Sequence, residues 1–110
     1  MKYGNKKLIC PKHGKFDSRG EYNHYLYLKE LHRTGEITIL DRQVTFQIVI
    51  NGHKVFKVIP DYRYTLKTGE TIVADFKGLL TPLSKLKYKI LKADQGIDVL
   101  IVRKPGEKIR

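Results

Sequence analysis

Apolar and polar residues alternate along two neighbouring stretches, residues 61–66 and 70–77. Both stretches are rich in Tyr, Thr, Ile and Val, which favours extended strands. Lys67-Thr68-Gly69 between them suits a three-residue hairpin loop with glycine in the left-handed conformation. The pattern therefore predicts an antiparallel hairpin around which the rest of the chain is arranged.

The loop also sets which residues of the two predicted strands face each other. We place Leu66 opposite Glu70 at the loop. Pairing then steps backwards along both strands, which brings Asp61 opposite Asp75. Lys77, two residues after Asp75, shares the face of that aspartate. The other face is expected to be buried and carries Tyr62, Tyr64, Ile72, Ala74 and Phe76.

A helix is predicted upstream of this hairpin. Residues 18–21 are typical of a capping box, in which Ser18 is the N-cap and Glu21 occupies the third helical position. The helix is expected to run to about Thr34 and to end at Gly35. Further strands follow from alternation and from the turn signal Asn-Gly at residues 51–52. The predicted small hairpin is residues 8–16, and the further predicted strands are residues 37–40, 44–50, 53–59 and 97–102.

A second helix is predicted after the central hairpin, with Thr81 as N-cap, Pro82 at the first helical position and an end near Gly96. One side is apolar, is expected to dock on the sheet and carries Leu83, Leu86 and Ile90. The opposite side carries Lys85, Lys89 and Lys92. This lysine side is either a surface that follows nucleic-acid phosphates or the solvated face of a basic helix. Both interpretations stay open.

The order of these elements is helix, antiparallel strands, helix and strand, or α-βββ-α-β. We expect an α/β fold with a mixed β-sheet flanked by helices, whose last strand pairs parallel to a strand of the site. The length predicts a single domain, residues 1–110, with basic tails at residues 1–7 and 104–110. In the first tail, Lys6 and Lys7 are predicted to contact nucleic acid.

The net charge points to the class of partner. The chain has 22 Lys and Arg against 11 Asp and Glu, a formal charge of +11. Such a balance favours a polyanion, and nucleic acid is the first candidate. A generic basic protein or a small ribosome-associated protein would have the same composition, so these alternatives stay open.

Cysteine content and hydropathy bear on the compartment. One cysteine, Cys10, excludes an intrachain disulfide, which fits a reducing cytosol. No apolar run reaches the length of a signal peptide core or a membrane span. We therefore expect a cytoplasmic protein without a membrane partner.

Two aspartates opposite each other need compensation, because like charges directly across a sheet destabilise it. The compensating cation would be a divalent metal, Lys77 or both. Carboxylate oxygens suit a hard ion such as Mg²⁺ or Mn²⁺. The alternative is that Asp61 and Asp75 are solvated residues at the ends of strands.

The Pro-Asp pair at residues 60–61, followed by Asp-Phe-Lys at residues 75–77, resembles the signature of the PD-(D/E)XK nuclease superfamily. Glu21 extends the match, because members carry a glutamate on the first helix. They carry the first aspartate at the start of a strand and the acid-x-Lys triplet on the next strand. Nearly the whole chain follows this order. It is most similar to small phage-encoded members, whose relatives are Holliday junction resolvases of the phage endonuclease I type.

The resemblance implies a restriction-endonuclease-like core and a Mg²⁺- or Mn²⁺-dependent endodeoxyribonuclease that uses no small-molecule cofactor. Asp61 and Asp75 would bind the metal directly, Glu21 directly or through water, and the backbone carbonyl of Phe76 would complete the coordination. Lys77 would position or deprotonate the nucleophile and offset phosphate charge. The implied substrate is branched DNA and the implied assembly a homodimer. The implied location is the cytoplasm of a phage-infected or prophage-bearing bacterium.

Alternatives remain at the level of the residue and of the protein. Spacing alone makes Glu21 a helix cap, whereas the resemblance makes it a metal ligand, and both roles can coexist. A nicking or general duplex endonuclease is an alternative to a resolvase. The alternative from another class is a non-catalytic, basic nucleic-acid-binding phage protein, and an RNA-binding processing factor is a third.

Overall fold

The structure, a computed structural model, describes residues 8–10 and 12–110. Lys6 and Lys7, the predicted contacts in the N-terminal arm, lie outside the described residues. Within the described part, no helix is long and apolar enough to cross a membrane. In chain order the elements are β1 (Leu8–Cys10), β2 (Gly14–Phe16), α1 (Arg19–Arg33), β3 (Ile37–Arg42), β4 (Phe46–Ile50), β5 (His53–Val58), β6 (Tyr62–Leu66), β7 (Thr71–Phe76), α2 (Pro82–Gln95) and β8 (Val99–Val102).

A four-stranded mixed sheet in the order β3-β6-β7-β8 carries the candidate site. Strands β3, β6 and β7 are antiparallel, and β8 runs parallel to β7, as predicted for a strand that follows a helix. In the central hairpin Arg63 lies opposite Val73 and Thr65 opposite Thr71, which confirms the predicted register. Gly69 supplies the expected positive φ, 94°, in the loop. The coarse prediction of an α/β fold with a mixed sheet and helices is confirmed.

Strands β4 and β5 form a separate two-stranded sheet. Asn51 and Gly52 at their turn have φ values of 50° and 81°, as a two-residue turn of this type requires. β4 begins at Phe46, later than the predicted residue 44, because Gln43 has a φ of 51° and turns the chain. The strands of the main sheet that precede α2 are thus β3, β6 and β7, and the β4–β5 hairpin is inserted between β3 and β6.

Helix α1 packs on one face of the main sheet. It has the predicted N-cap Ser18 and C-cap Thr34, and Gly35 follows with a φ of 83°. The core beneath it consists of the buried side chains of Leu28, Ile37, Tyr62, Tyr64, Ile72, Ala74 and Val102. Tyr62, Tyr64, Ile72 and Ala74 belong to the face of the central hairpin that was predicted to be buried, and this prediction is confirmed. Burying a side chain of this size contributes roughly 1.5–3 kcal/mol. This core holds the first turn of α1 against the sheet, where the site lies.

Helix α2 has the predicted caps, Thr81 and Gly96, but only Ile90 of the predicted docking face packs, and the prediction is wrong for Leu83 and Leu86. Leu83 and Leu86 are 60% and 53% exposed, whereas Leu91 is fully buried. Leu91 packs with buried residues of the β4–β5 hairpin, and Tyr88 and Ile90 pack around them. The sequence offers two apolar stripes on this helix. The helix packs on the hairpin through the stripe that contains Leu91. Helical periodicity alone does not predict which of the two stripes is used.

The C-terminal segment, predicted as a basic tail, is docked on the main sheet and α1. The hydroxyl of Tyr64 donates a 2.8 Å hydrogen bond to the carbonyl of Ile109. The N–H of Gly106 donates to Nδ1 of the fully buried His24 at 3.0 Å. Ile109 also packs against the core under α1. One buried donor, one buried acceptor and an apolar contact fix this segment, and its charged composition gave no sign of this docking.

Candidate functional site

The predicted site residues converge on one cleft of about 510 Å³. Its wall is built from the start of α1, the approach to β6, the end of β7 and the turn that follows. The lining residues are Asp17, Ser18, Glu21, Ile59, Asp61, Asp75, Phe76, Lys77, Gly78 and Leu79. The four side chains predicted to act in catalysis therefore lie in one place, although they come from three separate stretches of the chain.

Asp61 and Asp75 lie side by side, as the register predicted. The N–H of Asp61 donates to Oδ1 of Asp75 at 3.2 Å. The N–H of Phe76 donates to Oδ2 of Asp61 at 2.8 Å. Both aspartates are buried, which excludes the alternative that they are solvated residues at strand ends. The two strands hold the carboxylates through backbone donors, so the pair is rigidly placed.

Tyr88 on α2 is a site residue that the sequence did not reveal. Its hydroxyl donates a short hydrogen bond to Oδ2 of Asp75. On the cleft side, Nζ of Lys77 lies 3.9 Å from the same oxygen, and its side chain is 36% exposed. Asp75 is therefore held between a half-buried hydroxyl and an accessible ammonium group. Tyr88 belongs to the apolar contact between α2 and the hairpin, so its only sequence signal was its place on the Leu91 stripe.

Glu21 occupies the helix-cap position that the sequence predicted, and it also lines the cleft. Its N–H donates to Oγ of the N-cap residue Ser18 at 3.1 Å, and its Oε1 accepts from the N–H of Asp17 at 3.1 Å. Its Oε2 is buried, forms no hydrogen bond and lies 3.6 Å from Nη2 of Arg42. The helix start therefore uses one carboxylate oxygen, and the other lies beside a cation.

Gly20 lets the first turn of α1 approach the sheet this closely. A Cβ atom at position 20 would lie 2.6 Å from Cζ of Phe76, closer than two carbon atoms pack. The hydroxyl of Tyr62 donates to the carbonyl of Glu21 at 2.8 Å and ties the same turn to β6. Close approach and this hydrogen bond together set the position of the Glu21 carboxylate beside the aspartates.

Arg42, at the end of β3, is a second residue that the sequence did not reveal. Its Nη2 lies 3.6 Å from Oε2 of Glu21. The guanidinium stacks 3.7 Å from the ring centroid of Phe16 and donates to the carbonyl of Lys15 at 2.8 Å. The β1–β2 hairpin thus holds the guanidinium group of Arg42 next to the carboxylate of Glu21. No local motif predicts it, because the contact joins elements that are far apart in the chain.

Burial and mutual repulsion change the acidity of this cluster. Burial, followed by the hydrogen bond and charge of Asp75 and the charge of Glu21, raises the pKa of Asp61 to about 9. Burial also raises the pKa of Glu21, against the opposing effect of the Asp17 N–H. At neutral pH the metal-free cluster therefore keeps a proton on Asp61.

The carboxylate oxygens of Glu21, Asp61 and Asp75 are ligands that suit a hard divalent cation, but these three side chains are not arranged as a metal site in the structure. Among residues 8–10 and 12–110, no three His, Cys, Asp or Glu side chains are grouped so that they could hold a metal ion as they stand. The oxygens of Asp61 and Asp75 accept hydrogen bonds from backbone N–H groups and from Tyr88, and the raised pKa of Asp61 favours its protonated form at neutral pH. Oε2 of Glu21, which forms no hydrogen bond, and the raised pKa of Asp61 are features that a bound cation would relieve. Mg²⁺ or Mn²⁺ would thus take the place of that proton.

The predicted nucleic-acid contacts of α2 are on the surface. Lys85, Lys89 and Lys92 are all exposed, and Nζ of Lys92 lies 3.3 Å from Oδ2 of Asp98. Lys85 and Lys89 lie on the first three turns of the helix, which begins five residues after Lys77. The two interpretations of the lysine side, solvated face or phosphate contact, both remain compatible with this exposure.

The fold and site together define a small mixed α/β protein with a buried carboxylate cluster beside a lysine. This chain belongs to the family described as "Protein of unknown function (DUF1064)", whose profile matches residues 1–102 and so includes the whole cluster. No curated protein and no solved structure matches the chain.

Proposed function

We propose that this protein is a divalent-metal-dependent endonuclease that hydrolyses phosphodiester bonds of DNA. One observation carries the proposal: Glu21, Asp61 and Asp75 line a single cleft together with Lys77. These are the residues through which the sequence resembles PD-(D/E)XK nucleases. The formal charge of +11 adds support, because a strongly basic protein attracts polyanions.

Hydrolysis of a phosphodiester needs a positioned water, a proton acceptor and compensation of charge on the phosphate. Asp61, Asp75 and Glu21 would hold Mg²⁺ or Mn²⁺, with the Phe76 carbonyl as a further ligand. When bound, that ion would polarise the phosphate and lower the pKa of water. Lys77 reaches into the cleft, where its ammonium group offsets phosphate charge and orients the attacking water.

Branched DNA is the proposed substrate, and a homodimer with two such clefts would cut a pair of strands related by two-fold symmetry. The proposed location is the cytoplasm of a phage-infected or prophage-bearing bacterium. These features come from the resemblance to phage junction resolvases. A general duplex endonuclease would use the same cleft without preference for a branch.

A non-catalytic nucleic-acid-binding protein is the second candidate. The state of the carboxylates favours this candidate, because they accept hydrogen bonds from the protein. Among the described residues they form no group that could hold a metal ion as it stands. In that case the proton on Asp61 would be a permanent part of the structure. DNA binding would weaken strongly with salt and no strand would be cut.

Cleavage of a labelled four-way junction and of a matched linear duplex, with and without Mg²⁺ or Mn²⁺, tests the proposal. We expect metal-dependent cutting by the wild type and a loss of at least about 100-fold in Asp75→Asn, because a ligand is removed. Asp98→Asn is the matched control, since Asp98 is exposed and pairs with Lys92 outside the cleft. Equal rates on both substrates would reject the junction preference. Binding without cutting in either metal would support the second candidate.

A further inference from the structure

Arg103 lies directly after β8, beside the segment that carries Lys77. Its Nη1 donates to the carbonyl oxygen of Gly78 at 3.4 Å, and Gly78 lines the cleft. The N–H of Lys77 donates at 3.0 Å to the carbonyl oxygen of Val102, the residue before Arg103. The side chain of Arg103 is exposed. Its guanidinium group therefore lies at the rim of the cleft, next to the turn that follows β7.

The backbone of Arg103 is fixed by the C-terminal segment. Its N–H donates to Oε1 of Glu107 at 2.8 Å. The chain between these two residues is held in turn by Gly106, whose N–H donates to the buried ring of His24 at 3.0 Å. None of the ion pairs among the described residues involves the guanidinium group of Arg103. The fold thus places this arginine at the cleft without giving it a carboxylate partner.

Most arginines of this chain do have such a partner. Arg19 and Arg103 are the exceptions within the described part of the chain. Arg19 precedes Glu21 by two residues in α1, and at 3.6 residues per turn it lies on the other side of the helix from this cleft residue. Arg103 is therefore the unpaired arginine that adjoins the cleft. The four paired arginines are Arg33, Arg42, Arg63 and Arg110.

A guanidinium group at this place suits a phosphate. Its N–H donors lie in one plane and match two oxygens of a phosphate group. Gly78 accepts from one donor of Arg103 in a long hydrogen bond, so the other donors stay available. The cleft is lined by acids, and Nζ of Lys77 lies 3.9 Å from Asp75. A DNA strand that enters this cleft is repelled by the carboxylates unless cations at the rim bind its phosphates.

We propose that Arg103 binds a phosphate of the DNA strand beside the phosphate that is cut, and so holds the strand in the cleft. This inference rests on the proposed nuclease function and deepens it, because it names a residue that binds the DNA backbone. Lys77 acts on the phosphate that is cut, and Arg103 acts on its neighbour along the same strand. A phosphate contact carries no base information, so Arg103 places the strand without selecting a sequence.

Uncharged phosphates locate the contact. Single phosphates of a labelled four-way junction are replaced in turn by methylphosphonates, and binding is measured in EDTA, which prevents metal-dependent cutting. The wild type is expected to lose roughly tenfold in affinity when the contacted phosphate is replaced. Arg103→Ala should bind the unmodified junction roughly tenfold more weakly. It should also be insensitive to the methylphosphonate at that one position, because the contact is already missing.

Two further variants separate phosphate binding from a structural role. Arg103→Lys keeps the charge but not the planar donors, so it should recover part of the affinity and part of the methylphosphonate effect. Arg19→Ala is the matched control, because it removes an exposed, unpaired arginine on the far side of α1. It should keep the wild-type effect at the contacted phosphate. If Arg103 only supported Gly78, Arg103→Ala would keep the wild-type pattern of methylphosphonate effects, and this result would overturn the proposal.

Cleavage of the unmodified junction in Mg²⁺ separates this proposal from the nuclease. Cutting by the wild type, with a methylphosphonate pattern that Arg103→Ala leaves unchanged, would reject Arg103 as a phosphate contact and retain the nuclease. Binding without cutting, with the effect at one phosphate lost in Arg103→Ala, would reject the nuclease and retain the phosphate contact. A wild type that does not bind the junction in EDTA would reject the role of Arg103.

Discussion

At the scale of the residue, the site is organised by the proton on Asp61. Burial and the neighbouring carboxyls raise the pKa of Asp61 to about 9, so this side chain is neutral at pH 7. Arg42 and Lys77 approach different oxygens of the cluster, at 3.6 Å from Glu21 and 3.9 Å from Asp75. The proton on Asp61 and these two cations together offset the three carboxyl groups. A divalent ion that displaced the proton would take over its part of this compensation, which is the physical reason to propose a metal here.

Tyr88 acts on the site through Asp75 and is expected to affect metal binding without being a ligand. Tyr88→Phe removes the hydroxyl that donates to Oδ2 of Asp75 and leaves the ring in the core. We expect roughly 10–100-fold weaker Mn²⁺ binding and slower cleavage, as for other groups that orient a metal ligand. Calorimetry and single-turnover cleavage measure the two effects. Tyr27→Phe, which removes the hydroxyl of a partly exposed tyrosine of α1 outside the cleft, is the control and should match wild type.

At the scale of the element, α2 connects the site to the β4–β5 hairpin. Leu91 is fully buried against Ile48 and Val58, and Tyr88, one turn earlier, reaches Asp75. Docking of the helix on the hairpin therefore places a hydroxyl in the site. The hairpin carries no cleft residue apart from its neighbour Ile59, so its contribution is structural support for α2.

The docking face of α2 is tested by comparing two leucines. Leu91→Ala should destabilise the protein by about 2–5 kcal/mol, because it leaves a cavity between α2 and the hairpin. Leu86→Ala, at a position that is 53% exposed, should change stability by no more than about 0.5 kcal/mol. Urea denaturation followed by circular dichroism measures both. A larger loss in Leu86→Ala than in Leu91→Ala would show that the helix packs through the face predicted from its sequence instead.

Local elements were predictable from the sequence because their signals are local. Alternation and the Gly69 loop predicted the central hairpin and its register, and Ser18 and Thr81 predicted both helix starts. The register then brought Asp61 and Asp75 together before any tertiary information was used. Two carboxylates of the candidate site thus follow from strand periodicity and one turn.

Contacts between distant elements were not predictable in the same way. Arg42 reaches Glu21 only because β3 pairs with β6, and Tyr88 reaches Asp75 only because α2 docks on the hairpin. The docked C-terminal segment depends on His24, a polar residue in the core, and its basic composition suggested the opposite. Each of these contacts depends on which elements pack together. The periodicity of a helix or a strand does not specify its packing partner.

At the scale of the whole molecule, two buried groups make stability depend on pH in opposite directions. Burial lowers the pKa of His24 from 6.5 to about 4, so its folded state favours the neutral ring. Between pH 6.5 and 4 the unfolded chain binds more protons at this histidine, and stability falls as pH falls. Asp61, with a raised pKa, keeps its proton in the folded state while the unfolded chain loses it. Its contribution is therefore largest below about pH 3.8 and is lost as pH rises towards 9.

The histidine effect can be isolated with His24→Asn, whose amide oxygen can replace Nδ1 as the acceptor for the N–H of Gly106. The wild type should lose on the order of 3 kcal/mol more than the variant between pH 7 and 4, the free energy of a shift from 6.5 to about 4. Chemical denaturation at several pH values measures the difference. Parallel pH profiles of the two proteins would mean that His24 is not held neutral by the fold.

The most direct test of the central claim, that the carboxylate cluster is a divalent-cation site, is a calorimetric titration with Mn²⁺ at pH 7.5. Comparing two buffers of different ionisation enthalpy also counts the protons released. We predict one ion per chain and release of about one proton, because Asp61 is protonated in the metal-free protein. Asp75→Asn should lose the binding, and the exposed control Asp98→Asn should keep it. Absence of binding by the wild type, or equal affinity in Asp75→Asn, would contradict the claim.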